Sequence, residues 1–171
     1  MPTKPSTEQV NLSVKSTVIL TKELTMVEIK NETPQNIEEL KKQANNKLSY
    51  KERKKAIEEL GKYKCQQSKD ILWRIMINDK IHSVQNEAFL KLQAFGEKVK
   101  LPKSKKGHHV KDINKKLCRI KKLLGEDFSI DSFKNKFLEL YPEAYDIYSY
   151  HKKDKLDKWI ENTISNCPKK V

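Results

Sequence analysis

The chain is 171 residues long, sets 36 Lys and Arg against 23 Asp and Glu for a net charge of +13, and contains only four glycines. That length suits one ordinary domain or two small ones, and a Lys- and Glu-rich composition poor in turn residues favours helices over a sheet. No run approaches the ~20 apolar residues of a membrane-crossing helix, and the N-terminus lacks the basic start and apolar core of a secretion signal, which argues against membrane and secreted classes.

Cys65, Cys118 and Cys167 are odd in number, widely spaced and without a CxxC pair. That usage points to a reducing compartment rather than a disulfide-stapled domain, and a cytoplasmic protein is the expectation. Charge is uneven: residues 1–35 are neutral, residues 36–96 carry +5 and residues 97–171 carry +8.

Residues 1–35 are Thr- and Val-rich, and the alternation through Val14, Thr17, Val18, Ile19 and Leu20 suits a short strand or a disordered arm. A strand needs a partner and no second strand signal follows, so disorder is the expectation. Met26, just ahead of the first helical pattern, is a second place where translation could begin. Ile37, Leu40 and Ala44 then recur at helical spacing behind Pro34 and predict the first helix. Ser49 and Glu52 form a capping box that opens a helix carrying Ala56, Ile57 and Leu60, ending near Gly61 or Tyr63. Ser68 is placed to cap a third helix through Ile71, Leu72, Trp73, Ile75 and Met76, apolar on so many sides that deep packing is expected. A fourth carries Val84, Ala88, Phe89, Leu92 and Phe95, and Gly96 can take the left-handed conformation that stops it. The four helices make two hairpins side by side.

Arg53, Ala56 and Leu60 recur as Gln85, Ala88 and Leu92 at an offset of 32 residues, a period that marks helical solenoids. Asp79, Val84, Gln85, Ala88, Leu92 and Gly96 follow the second-helix pattern of HEAT repeats, and residues 36–96 resemble that family. The pattern departs at Gln85, where the family has Arg, and in the first repeat, where Lys47 and Glu52 replace the Asp and the Val. The resemblance implies close helix approach at Ala56 and Ala88, leucines filling between layers, a weakened ladder of Asp–Arg contacts and a protein-docking surface. It implies no chemistry. Two repeats fall short of the ~3 a solenoid needs, so a cap from the C-terminal helices or another chain is expected.

Residues 98–122 hold eleven Lys and Arg against one acid, Asp112, a local charge of +10. Lys98, Lys100, Lys103, Lys105 and Lys106 sit in a linker, residues 97–109, punctuated by Pro102, Ser104 and Gly107. Val110, Ile113, Leu117, Ile120 and Leu124 then mark an amphipathic helix whose other face presents Lys111, Lys115, Lys116, Arg119, Lys121 and Lys122. Such density suits an anionic partner, because each phosphate neutralised releases a condensed cation; a merely solvated segment is the plain alternative. Beyond Gly125, Ser129 or Asp131 caps a helix with Ile130, Phe133, Phe137 and Leu140 inward. Pro142 resets the chain into a Tyr-rich turn through Tyr145 and Tyr148, and a last helix carries Leu156, Trp159, Ile160 and Ile164.

The aromatic residues from Phe128 to Trp159 read as core, with only Tyr148 and Tyr150 free enough to be base-stacking platforms. No spacing assigns a recognition helix. His108, His109 and Cys118 lack the second ligand pair of a structural zinc site, His82 and His151 are isolated, and no phosphate-loop, nucleophile or paired-carboxylate motif occurs. No metal, cofactor or catalysis is expected. The expectation is an all-α, non-enzymatic adaptor with a flexible arm over 1–35. HEAT-like hairpins over 36–96 would dock a protein partner, while the basic linker over 97–109 and a C-terminal helical unit over 110–171 would touch an acidic one. The alternative is direct binding of DNA or RNA by the same lysines. An adaptor requires an apolar patch on the hairpins, whereas a nucleic-acid binder requires basic residues of both units on one continuous face.

Overall fold

The computed structural model describes residues 28–104 and 107–168; residues 1–27, with the alternating stretch and Met26, lie outside them. The described residues are all-helical apart from one isolated β-bridge. That bridge pins the chain's entry: the Lys30 N–H donates to the Lys62 carbonyl at 2.9 Å, and the Lys64 N–H donates back to the Lys30 carbonyl at 2.7 Å.

The first four helices are α1 (Ile37–Ala44), α2 (Tyr50–Leu60), α3 (Gln66–Asn78) and α4 (His82–Ala94). Ser49 caps α2, its hydroxyl accepting the Glu52 N–H at 3.3 Å, while the Glu52 carboxylate turns outward to Lys55. Helix α3 starts earlier than a Ser68 cap would put it. Cys65 is the cap, its sulfur accepting the Ser68 N–H at 3.4 Å, and Ser68 is buried in the first turn. At the end of α4, Gly96 has φ +84°. The Glu97 N–H there reaches the Leu92 carbonyl and the Gly96 N–H the Gln93 carbonyl, the paired bonds by which a left-handed residue closes a helix.

Helix α1 packs on α2 and α3 on α4, and the two hairpins stack with α1 against α3 and α2 against α4. Ala56 and Ala88 bring the helices close, and Leu60 and Leu92 are buried between the layers. Each such leucine contributes about 1.5–3 kcal/mol by leaving water. One layer is tied to the next by a buried guanidinium. Arg53 Nε donates to Asp79 Oδ2 at 2.7 Å and its Nη2 to Asp79 Oδ1 at 3.3 Å, while its Nη1 donates to the Asn46 carbonyl at 2.8 Å.

The C-terminal helices are α5 (Ile113–Leu124), α6 (Ile130–Leu140), α7 (Pro142–Lys152) and α8 (Leu156–Ser165). Helix α5 packs on α6 and α8, and α7 on the same two. The stretch read as a Tyr-rich turn is helix α7. Pro142 is its first residue, where a fixed φ and a missing N–H cost nothing. Ala144, Ile147 and Tyr148 then face inward, so Tyr148 is no surface platform: it is buried and stacked on Trp159 with ring centroids 4.4 Å apart. Tyr150 packs edge-on against Tyr50 of α2. Helix α7 also packs on α2 of the hairpins. Asp146 accepts the Tyr50 N–H at 2.9 Å and Arg53 Nη1 at 3.2 Å.

Two expectations about burial change. Trp73 is 50% and Ile77 39% exposed, although α3 packs on α1, α2 and α4. Leu140, at the end of α6, is also exposed. The odd cysteine count resolves into a disulfide between Cys118 of α5 and Cys167 just past α8, with Cys65 free. The packing of α5 on α8 brings together two residues 49 apart in sequence, which spacing alone could not indicate. No described helix is long and apolar enough to cross a membrane.

Candidate anion-binding cleft

The turn of each hairpin carries a lysine, Lys47 between α1 and α2 and Lys80 between α3 and α4. Both line one cleft of about 510 Å³, whose opposite wall comes from Lys111, Lys116, Tyr141 and the first turn of α7. An adjoining hollow of about 390 Å³ shares Lys47, Lys80, Glu143 and Ile147 with it and adds Arg74 and the Arg53–Asp79 pair. Among the described residues Lys47, Arg74, Lys80, Lys111 and Lys116 form no ion pair. Among the described residues Glu143 is the one carboxylate on the wall of the larger cleft. A concave surface with this charge imbalance and carbon-rich walls focuses positive potential into the space it encloses.

Lys116 lies beside Tyr141 on the cleft wall. Its Nζ donates to the Lys111 carbonyl at 3.2 Å and lies 5.5 Å from the centroid of the Tyr141 ring. Tyr141 is also the N-cap of α7 and makes no side-chain capping bond. Past Pro142, which has no N–H, the first turn of α7 brings the positive end of its helix dipole toward the lysines, offset by the Glu143 carboxylate in the same turn.

A pair of imidazoles sets one wall. His109 lines the cleft and stacks on His151 of α7, with ring centroids 3.7 Å apart and planes 6° from parallel. Burial pushes both below the ordinary histidine range. Lys152 and His108 push His109 further down, and His109 and Lys152 do the same to His151. The stack fastens the segment before α5 to α7.

The chain matches no protein-family model, no curated protein and no solved structure.

The basic run read from the sequence divides in space. Lys111 and Lys116 face the cleft. Lys115, Arg119 and Lys122 line a separate hollow of about 430 Å³ on the far side of α5, beside Cys118, Thr163 and Asn166, and Lys115 pairs with Asp112 at 3.2 Å. Lys121 donates to the Ile164 carbonyl at 3.3 Å and so serves the end of α8. Lys98, Lys100 and Lys103 are exposed along the segment after α4 and do not line the cleft; Lys105 and Lys106 lie outside the described residues. Lys47, Arg74 and Lys80 escaped the sequence reading because none belongs to a charge run. A signal did exist: Lys47 and Lys80 fall almost one repeat period apart, which places them in equivalent turns. Among the described residues no group of three His, Cys, Asp or Glu could hold a metal ion.

Proposed function

We propose that this chain is a non-catalytic nucleic-acid-binding protein that holds its ligand in the cleft between the hairpin array and the C-terminal helices. One observation carries the reading: unpaired cations from both parts, Lys47, Arg74 and Lys80 from one and Lys111 and Lys116 from the other, line a continuous pair of hollows. A polyphosphate backbone suits such a place, since every neutralised phosphate frees counterions. HEAT-like layering of residues 36–96 belongs to the same proposal. The contact of Arg53 with Asp79 of the next hairpin supports it, as an Asp–Arg rung between repeats.

The adaptor reading stands second. Trp73 and Ile77, one turn apart on α3, and Leu90 on α4 are exposed apolar side chains on the hairpins, as a docking surface would require. In that reading the cleft receives an acidic segment of the partner. The cytoplasmic placement expected from the sequence belongs to the same proposal, and the Cys118–Cys167 disulfide is the observation that points away from it.

The test replaces Lys47, Lys80, Lys111 and Lys116 by Gln and follows binding of a labelled oligonucleotide by fluorescence anisotropy. The quadruple variant folds normally and loses binding, while Trp73→Ser with Ile77→Ser binds as the unaltered protein does. Full retention by the lysine variant would remove the nucleic-acid reading.

A further inference from the structure

The cleft offers more than charge. Between its lysines the walls are Leu48, Val110, Tyr141, Pro142, Ala144 and Ile147, and Leu48 is 58% exposed at the rim. Resting on the nucleic-acid reading, we infer that the cleft takes an unpaired nucleotide of a single strand, with its base against Tyr141 and its flanking phosphates on Lys47, Lys80, Lys111 and Lys116. A duplex keeps its base faces stacked inside and presents phosphates to a protein surface, so apolar walls would add nothing to its recognition. A single strand has free base faces, and rings set among cations are how such strands are held without regard to sequence.

The volume agrees with this. About 510 Å³ is the size of an ordinary small-ligand pocket and accommodates one nucleotide. Lys116 now lies over the Tyr141 ring, the position the base takes in this arrangement. Its flexible stem lets the ammonium leave the ring for the adjoining phosphate. In the sequence Tyr141 belongs to the aromatic group that reads as core, because its place at the cleft depends on where α6 meets α7. Tyr148 and Tyr150, the platforms the sequence suggested, are engaged with Trp159 and Tyr50.

The experiment compares the full chain's affinity for a short fluorescein-labelled polythymidine strand with that for a mixed-sequence duplex of equal length, at matched salt. The strand binds more tightly. Tyr141→Leu, which keeps apolar bulk but no π face, weakens strand binding about tenfold without changing the salt dependence, and Tyr141→Trp restores it. Circular dichroism checks that each variant is helical, and a loss of helix in Tyr141→Leu transfers the decision to the Trp variant and the strand-to-duplex ratio. Equal affinity for strand and duplex, with Tyr141→Leu neutral, overturns the single-strand inference and leaves the nucleic-acid reading standing. Binding to neither overturns both.

Discussion

Arg53 is the residue on which both parts of the molecule depend. Its guanidinium is 8% exposed and meets Asp79 of the second hairpin, Asp146 of α7 and the Asn46 carbonyl. Removing it leaves two buried carboxylates, Asp79 and Asp146, without their cation. Arg53→Ala is therefore expected to cost about 3–5 kcal/mol in urea denaturation; a loss under about 1 kcal/mol would mean that the triad is not formed in solution. Arg53 and Asp79 both belong to the HEAT-like pattern read from the sequence, though that reading expected the Asp–Arg contacts to be weakened. Asp146 was not legible there, because only the docking of α7 on α2 brings it to Arg53. The histidine stack makes a second prediction at this scale. His109 and His151 are held below their ordinary value of 6.5, first by burial. Above that value both are neutral whether the chain is folded or not, so they add no pH dependence. Below it the unfolded chain takes up protons that the folded one resists, and stability falls as the pH drops. Thermal melting from neutral to mildly acidic pH should show the decline, and His109→Phe with His151→Phe should flatten it; an unchanged decline would assign it to other groups.

The helices were the most legible level. Apolar residues at three- and four-residue spacing located α1, α2, α4, α5 and α8, and Ser49, Gly96 and Gly125 marked ends where the caps are found. The misreadings have local causes. Pro142 suggested a break, yet proline is tolerated at a first helical position, and the helix simply restarts. At α3 the apolar residues surround the axis, a pattern that signals burial only when neighbours lie on all sides, and here one side is open at Trp73 and Ile77. The disulfide joins elements rather than building one. It closes a loop over the sequence separation of 49 and fastens the end of α8 to α5. Reducing it is expected to lower stability by about 2–4 kcal/mol, while Cys65→Ser has little effect on the reduction-dependent change. Identical denaturation of reduced and oxidised protein would show that the end of α8 is held by packing alone.

On the scale of the whole molecule, the basic character announced by composition becomes directional only through folding. The local charge of +10 over residues 98–122 pointed to an anionic partner without saying which lysines would share a surface. In space Lys121 serves α8, Lys115, Arg119 and Lys122 turn to the far side of α5, and only Lys111 and Lys116 meet the lysines of the hairpin turns. A charge run read along the chain identifies a tendency, whereas a cleft is assembled from residues far apart in sequence. The most direct test of the account is the salt dependence of affinity for a single-stranded oligonucleotide. With about four lysines engaged, log affinity against log salt should fall with a slope near −2.8, each contact contributing about −0.7, and replacing Lys47 and Lys80 by Gln should make it shallower by roughly 1.4. A slope near zero, or one untouched by those two substitutions, would contradict the cleft as the site of binding.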